Sequence, residues 1–435
     1  MTKRWCPGMV GQYPTMMMLV ALLALAFSPT LSNAAEVALG QAVTPYPPPA
    51  VPADPGSKLT IYLMTMGPGK AVWERFGHNA IWVHDRERGT DKAYNYGLFD
   101  LSQQGFLVRF LQGRMWYWMQ GFPAQAYVEL YRRANRSVWV QELEIPAPAR
   151  RELQEFLEWN ERPENRFYHY DYYRDNCSTR VRDALDRALG GRIRAYAGAL
   201  PTGKTYRFHT RRLTSNDPLV YTGLLLGLGQ PVDREISAWD EMFLPLELRD
   251  HMRKVTIRGA GTAEVPVVRS ERTLFESTGT PPPDRPPFWL LVYLGVGLTI
   301  GTGTVLLGRA VRFSSRARTA FLATGITWTL LVGVLGLVLA GLWGLTDHTA
   351  AYYNENLLQA NPLALVLVWS LPRSTRRGSR PAWMVSAVIA AISFVGFVLK
   401  AFPAFCQVNG EIIALALPIH LGLAVATWQL HHQRP

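Results

Sequence analysis

The chemistry open to this chain centres on a thiol. Cys177 stands in Arg174-Asp175-Asn176-Cys177-Ser178-Thr179, just before Val181, Ala184, Leu185, Ala188 and Leu189, which recur at the spacing of one helical face. Gly190-Gly191 ends that run as a helix C-cap does. Asp175 and Asn176 are N-capping residue types, so Cys177 is expected in the first turn, where free amides and the helix dipole favour negative charge. A thiol so placed ionises more readily, and the thiolate is the nucleophile. The plain alternative is a buried cysteine at a helix start.

A cysteine nucleophile needs a base brought from elsewhere in the chain. Nine histidines are available. His431 and His432 fall in the tail, His420 lies inside an apolar run, and His209 and His251 sit among basic residues and read as surface. His78, His84 and His169 remain in the folded domain, with His348 in a membrane loop. His78 stands out in Phe76-Gly77-His78-Asn79-Ala80, at the mouth of a strand and after a glycine that allows close backbone approach. A histidine at a strand start facing a cysteine at a helix start is the layout of papain-like hydrolases and acyltransferases, in which a third polar group orients the base. Asn95, on the return strand after a turn near Arg88-Gly89, is one orienting candidate. His84 shares the strand face of His78 and competes with it as the base. Asn176 can donate to an oxyanion or simply cap the helix. Taken alone, His78 also fits a hydrogen-bonded core histidine.

Other chemistries lack their residues. There is no His-x-x-x-His pair and no Cys-x-x-Cys, and the carboxylates do not cluster with the histidines, so no metal is expected. No phosphate-binding glycine loop and no serine-hydrolase elbow occur, and no cofactor is implied. The chain is basic, with net charge +12, yet eight arginines lie in two short segments between apolar runs, Arg309 to Arg318 and Arg373 to Arg380. That is the pattern of cytoplasmic membrane loops and not of a nucleic-acid surface.

The elements that must position these residues follow from periodicity and punctuation. Residues 1–34 read as a secretory signal, with Lys3 and Arg4, an apolar core from Met16 to Phe27 and a small-residue site at Ser32-Asn33-Ala34; an uncleaved anchor is the alternative. Residues 35–57 form an Ala/Pro-rich linker. A mixed domain, residues 58–275, has strands expected at Leu59–Met66, Asn79–His84, Ala93–Leu98 and Val138–Ile145. Helices are expected at Leu101–Leu111, Ala124–Arg133, Pro148–Glu161 and Asp175–Leu189. The apolar stretch Leu219–Gly229 is too short to span a bilayer and reads as core, with a dip into lipid as the alternative. A Pro-rich hinge, 276–287, precedes a membrane region, 288–430, with runs at Phe288–Leu307, Ala320–Leu345, Ala382–Phe402 and Ile412–Trp428. A fifth, around Ala351–Leu371, is polar in its first half. Five spans with arginine-rich loops after the first and third put the mixed domain outside, as the signal segment also does. Cys6 leaves with that signal and Cys406 falls at a membrane boundary, so Cys177 becomes a lone thiol in an oxidising compartment. His348, Asn354, Asn356 and Asn361 lie where the third span enters from outside. Polar groups at that depth are functional candidates, here for holding a lipid headgroup or acceptor; a plain external loop is the alternative.

Phe76-Gly77-His78-Asn79-Ala80, Tyr94-Asn95-Tyr96-Gly97-Leu98-Phe99-Asp100 and Asn176-Cys177-Ser178-Thr179 with Arg182-Asp183 resemble the motifs of the Lnb N-terminal periplasmic domain. Arg136 and Gln141, Phe243-Leu244-Pro245 and the segment His348 to Pro362 fit that family as well. The resemblance spans roughly residues 60–430. It implies an α+β, permuted papain-like (NlpC-type) periplasmic domain followed by an all-α membrane domain of five spans, in the bacterial inner membrane. It further implies a thiol-dependent N-acyltransferase in which Cys177 takes an acyl group from a membrane phospholipid as a thioester. His78 activates the thiol, and the acceptor is the N-terminal amine of a diacylglyceryl lipoprotein. An NlpC-type cysteine peptidase or amidase acting on peptidoglycan, and a non-catalytic membrane scaffold, are the competing readings.

Overall fold

The computed structural model describes residues 55–100, 105–258, 263–377 and 379–432. The signal segment, and the linker up to residue 54, lie outside the described residues. The strands of the main sheet are β1 (Leu59–Met66), β2 (His78–Asp85), β3 (Thr90–Leu98), β4 (Trp116–Pro123), β5 (Val138–Leu143), β6 (Phe167–His169) and β7 (Val268–Phe275). They form one antiparallel sheet in the order β7-β5-β1-β2-β3-β4-β6.

β1 is apolar on both faces because both are covered. Helix α1 (Phe106–Gln112) precedes β4, and α2 (Ala124–Arg133) lies on one face of the sheet. Ala124, Tyr127, Val128 and Tyr131 of α2, spaced along one helical side, meet Met64, Met66, Ala80 and Trp82. Ile61, Leu63, Ile81 and Val83 point the other way. There they pack with Leu153 and Leu157 of α3 (Ala147–Glu161) and Val181 and Leu185 of α4 (Cys177–Ala188). Two register facts matter for the site. Met66 pairs with His78, which puts His78 first in β2, and Ala80 pairs with Asn95, which makes Asn95 the diagonal neighbour of His78.

Among the described residues, four helices are long and apolar enough to cross a membrane. They are α7 (Leu290–Ala310), α8 (Ser315–Leu345), α10 (Arg380–Val398) and α11 (Gly410–His432), with α9 (Leu365–Arg377) between α8 and α10. The backbones of α7 and α11 nearly touch: a Cβ on Gly422 would stand 2.3 Å from the Gly301 carbonyl oxygen. Small residues permit such close helix packing in lipid. The expected fifth span is not one long helix. Three 3-10 turns, Thr349–Ala351, Glu355–Leu358 and Pro362–Ala364, lead into the 13-residue α9. The physical reason is that the polar side chains of this segment are committed sideways, as described below.

Two further helices, α5 (Tyr206–Thr214) and α6 (Pro218–Gly227), join domain to bundle. The Tyr221 hydroxyl donates to Glu411 at 3.1 Å, Arg211 pairs with the same carboxylate, and the Tyr221 ring meets Trp289 at 4.9 Å. The stretch read as domain core is therefore a junction helix. Its Tyr221 and Leu225 are buried against Ile412, while Leu219 is 66 % exposed.

Candidate active site

Asn176 caps α4 with its Oδ1, accepting the Ser178 and Thr179 amides at 2.9 Å each. Its Nδ2 donates to the carbonyls of Tyr172 (2.9 Å) and Phe243 (3.0 Å). Every hydrogen of that amide is thus committed, so Asn176 is the helix cap and has none left for an oxyanion. The next residue is held from the sheet side. Asn79 Nδ2 donates to Ser178 Oγ at 3.0 Å, and Ser178 Oγ donates to the Met242 carbonyl at 2.7 Å. Cys177 is therefore fixed between two clamped neighbours, half-buried at the first position of α4. Gly97 of β3 takes φ +89°, and a Cβ there would stand 3.2 Å from that of Cys177. Phe99, Tyr170 and Cys177 all border the core on the α4 side of the sheet, and Tyr170 lies near enough to Cys177 to feel the charge of a thiolate there.

Gly77, at φ +85°, turns the chain beneath Met66 and delivers His78 to the same end of the sheet. The imidazole stacks on Tyr131 (6.3 Å between centroids, 12° between planes) and meets Tyr127 at 6.4 Å. Its Nε2 is buried without a hydrogen-bond partner. Behind Tyr131 stands Arg136, 5 % exposed, with its guanidinium 4.6 Å from the ring centroid and Nε donating to the Gly67 carbonyl at 2.9 Å. Burial first, and then the Arg136 charge, lower the His78 pKa to about 3, opposed by Asn95 as an acceptor. Burial pushes the Cys177 thiol up to about 11, even though the amides of Asn79, Ser178 and Cys177 itself and the charge of Arg136 pull it down. Burial therefore works against the easily ionised thiol expected at the helix start. The dipole and amides are present, but desolvation among aromatic rings outweighs them. At neutral pH the pair rests as thiol and neutral imidazole, and among the described residues no hydrogen bond joins them. An uncharged imidazole beside a thiol can still take its proton as an electrophile arrives. The amides of Asn79 and Cys177 are then in place to hold negative charge.

His84, six residues along β2 and so about 20 Å away, is paired with Asp91 at 2.9 Å. His169 is exposed and rests on Trp116 at 4.0 Å. Neither competes with His78. His209 and His251, read as surface, are buried instead. Their Nε2 atoms lie 3.0 Å from the two oxygens of Glu241, which also accepts from Lys204 at 2.9 Å. His209, Glu241 and Glu247 come together at metal-ligand distances, against the expectation that no carboxylate joins a histidine. Lys204 and Arg212 already supply positive charge there, Arg212 donating to His209 Nδ1 (3.0 Å) and Glu247 (2.8 Å). The group works as a strut under Met242 and Phe243, whose carbonyls receive Ser178 and Asn176.

Cys177, His78, Asn95 and Asn176 are gathered at one end of the sheet. His348 lies at its rim, stacked on Tyr172 at 6.3 Å with Nε2 2.8 Å from the Phe110 carbonyl oxygen. Asn354, Asn356 and Asn361 are placed otherwise. Asn354 Nδ2 donates to the carbonyls of Leu226 (2.7 Å) and Gly227 (3.1 Å), and Asn356 Nδ2 to those of Leu225 (2.8 Å) and Leu226 (3.1 Å). Both asparagines are buried and cap the C-terminal end of α6, where carbonyls lack helical partners. Their amide hydrogens are spent, which corrects the expectation that they hold a headgroup. Asn361 accepts the Leu363 amide at 3.0 Å as an N-cap. Missed from composition and spacing alone were the Asn79–Ser178 tie and the charge of Arg136. A lone arginine opening a buried strand, in Asn135-Arg136-Ser137-Val138, was the available signal.

Two family profiles match the chain. The Lnb N-terminal periplasmic domain matches residues 53–213 and the Lnb transmembrane domain residues 304–432, together more than half of the sequence. No curated protein and no solved structure matches.

Proposed function

The chain belongs to the Lnb family, and from that membership and a thiol and an imidazole held at the same end of the sheet we propose that it is a cysteine acyltransferase acting on bacterial lipoproteins. The family makes it a multi-pass membrane protein with a periplasmic domain, and the bacterial inner membrane is its proposed location. The observation that carries the catalytic reading is the clamp that holds Cys177 at the mouth of the His78 strand, with amides directed at the sulfur.

In the proposed reaction His78 takes the thiol proton as Sγ attacks the carbonyl carbon of a lipid ester. The C–O bond breaks, the proton passes to the leaving alkoxide, and Cys177 holds the acyl group as a thioester. The N-terminal amine of a diacylglyceryl-cysteine then attacks the thioester. His78 accepts the amine proton, the C–S bond breaks, and the thiol is restored. Phospholipid is the proposed donor; the ester on the lipoprotein itself is the other source.

Five crossings and a permuted papain-like domain belong to the same proposal. The five crossings are supported by contacts at opposite ends of the bundle. Glu355 pairs with Lys400, and Gln407 reaches the Leu228 carbonyl at 3.0 Å, on the domain side. Arg318 reaches Thr375 at 3.2 Å and Trp383 stacks on His431 at the far side. The chain thus changes sides between Glu355 and Thr375, over a short helix and its lead-in turns.

Mass spectrometry tests the reading. Purified protein with phospholipid alone is expected to gain one acyl mass at Cys177 and release lysophospholipid, as ping-pong transfer requires. N-acylation from diacylated lipoprotein with no phospholipid present identifies the lipoprotein as its own donor. His78→Ala is expected to lose roughly 100- to 10,000-fold in rate. Undiminished transfer by Cys177→Ala overturns the proposal.

A further inference from the structure

We infer that a ridge of rings leading from the end of α8 to Cys177 is the path along which one acyl chain leaves the bilayer for the thiol. The inference rests on the reading of Cys177 as an acyl acceptor and adds where the chain lies. The outer end is α1, apolar at five of its seven positions, with Val108 44 % and Phe110 38 % exposed. It is fastened to the turn that follows α8. The Asp347 amide donates to the Gln112 carbonyl at 2.8 Å, and Arg114 pairs with Asp347 at 2.6 Å. The last turn of α8 exposes Trp343 (40 %) and Leu345 (82 %), the residue types of a span leaving a bilayer.

From there the rings are continuous. Phe110 meets His348 at 6.3 Å and His348 stacks on Tyr172 at 6.3 Å. Tyr172 meets Tyr170 at 5.9 Å, and Tyr170 lies near enough to Cys177 to feel the charge of its thiolate. The charged groups at the entrance, Arg114 and Asp347, neutralise each other, so the ridge offers ring faces with hydroxyls only towards its inner end. A flexible hydrocarbon chain fits such a surface, and its bilayer end is continuous with the apolar exterior of the spans. A peptide or glycan would leave its polar groups against rings.

The test uses the full chain in detergent and two activated esters that need no headgroup, p-nitrophenyl palmitate and p-nitrophenyl butyrate, with acyl mass on Cys177 as the readout. Phe110→Ser and Tyr172→Ala are expected to lower the palmitate-to-butyrate rate ratio at least tenfold. Phe110→Leu should retain most of it, and Leu130→Ser, an exposed apolar site on α2, should leave the ratio unchanged. Thermal melting of each variant separates this from misfolding, which lowers both rates together. An unchanged ratio in Phe110→Ser and Tyr172→Ala, with adducts forming, overturns the path alone. Absence of any adduct from either ester in the wild-type chain overturns the acyl–thiol reading and the path with it.

Discussion

Asn79 Nδ2 donates to Ser178 Oγ across 3.0 Å in the buried interior, joining the residue after His78 to the residue after Cys177. The two halves of the candidate dyad are thus positioned by their neighbours, through a bond between β2 and the first turn of α4. Asn79→Ala removes the donor and leaves the Ser178 hydroxyl held only by the Met242 carbonyl. The expected cost is about 1–3 kcal/mol, read from denaturant unfolding, together with slower acylation of Cys177. Ser178→Ala should act on the same tie, so the double variant should cost less than the sum of the two singles. Strict additivity would mean that the bond contributes nothing of its own.

The thiol is expected to react slowly with a small neutral alkylating agent at pH 7. With its pKa raised to about 11, the thiolate fraction of Cys177 should grow about tenfold per pH unit across pH 7 to 10. A low-pKa cysteine would show a plateau over that range. Arg136→Met removes a charge that lowers both Cys177 and His78, so it should slow alkylation further. It should also move the acid limb of the transfer reaction to higher pH. Mass-spectrometric counting of alkylated Cys177 against pH decides it, and a plateau beginning near pH 6 would contradict the buried-thiol picture.

Much of this site was legible because its signals are local. Asn176 before Cys177 is an N-cap whatever surrounds it, and the apolar spacing in Ala124–Arg133 and Leu59–Met66 matches the observed elements end to end. The charge states were not legible. Desolvation of Cys177 comes from the fold around it, which sets Gly97 of β3, far away in sequence, against its Cβ. His209 looked like a surface residue because its partner Glu241 is 32 residues away, and only the fold brings His251 to the same carboxylate. The 351–371 segment failed as one long helix for a similar reason, since its asparagines serve α6 and not their own backbone.

Topology can be read from single cysteines placed in a chain carrying Cys6→Ala, Cys406→Ala and Cys177→Ser. Thr349→Cys and Leu363→Cys are expected to react with an impermeant maleimide added outside, and Ser315→Cys and Arg376→Cys are not. All four positions are exposed, so access is set by the side of the membrane. Labelling of Arg376→Cys from outside would mean that α9 does not cross. Labelling of Ser315→Cys would place the arginine loop, and with it the whole orientation, the other way round.

Asn356 provides the sharpest contrast between holding a lipid and holding the fold. It is fully buried, with Nδ2 on the carbonyls of Leu225 and Leu226 and Oδ1 accepting from Asn409 at 2.9 Å. Asn356→Ala removes one of the two asparagine donors at the end of α6 and takes the acceptor from Asn409 Nδ2, so a loss of about 1–3 kcal/mol is expected for the buried groups left unsatisfied. Asn356→Asp keeps the acceptor for Asn409 but sets a carboxylate against two carbonyls, and should be at least as destabilising. A structural residue predicts that both variants lower the melting temperature in detergent and that acylation by the butyrate and palmitate esters falls in the same proportion, since α6 anchors the domain to the bundle. A headgroup ligand predicts the reverse: an unchanged melting temperature with loss confined to phospholipid as donor. That second outcome would restore the lipid-binding role that the saturated hydrogen bonds of Asn356 argue against.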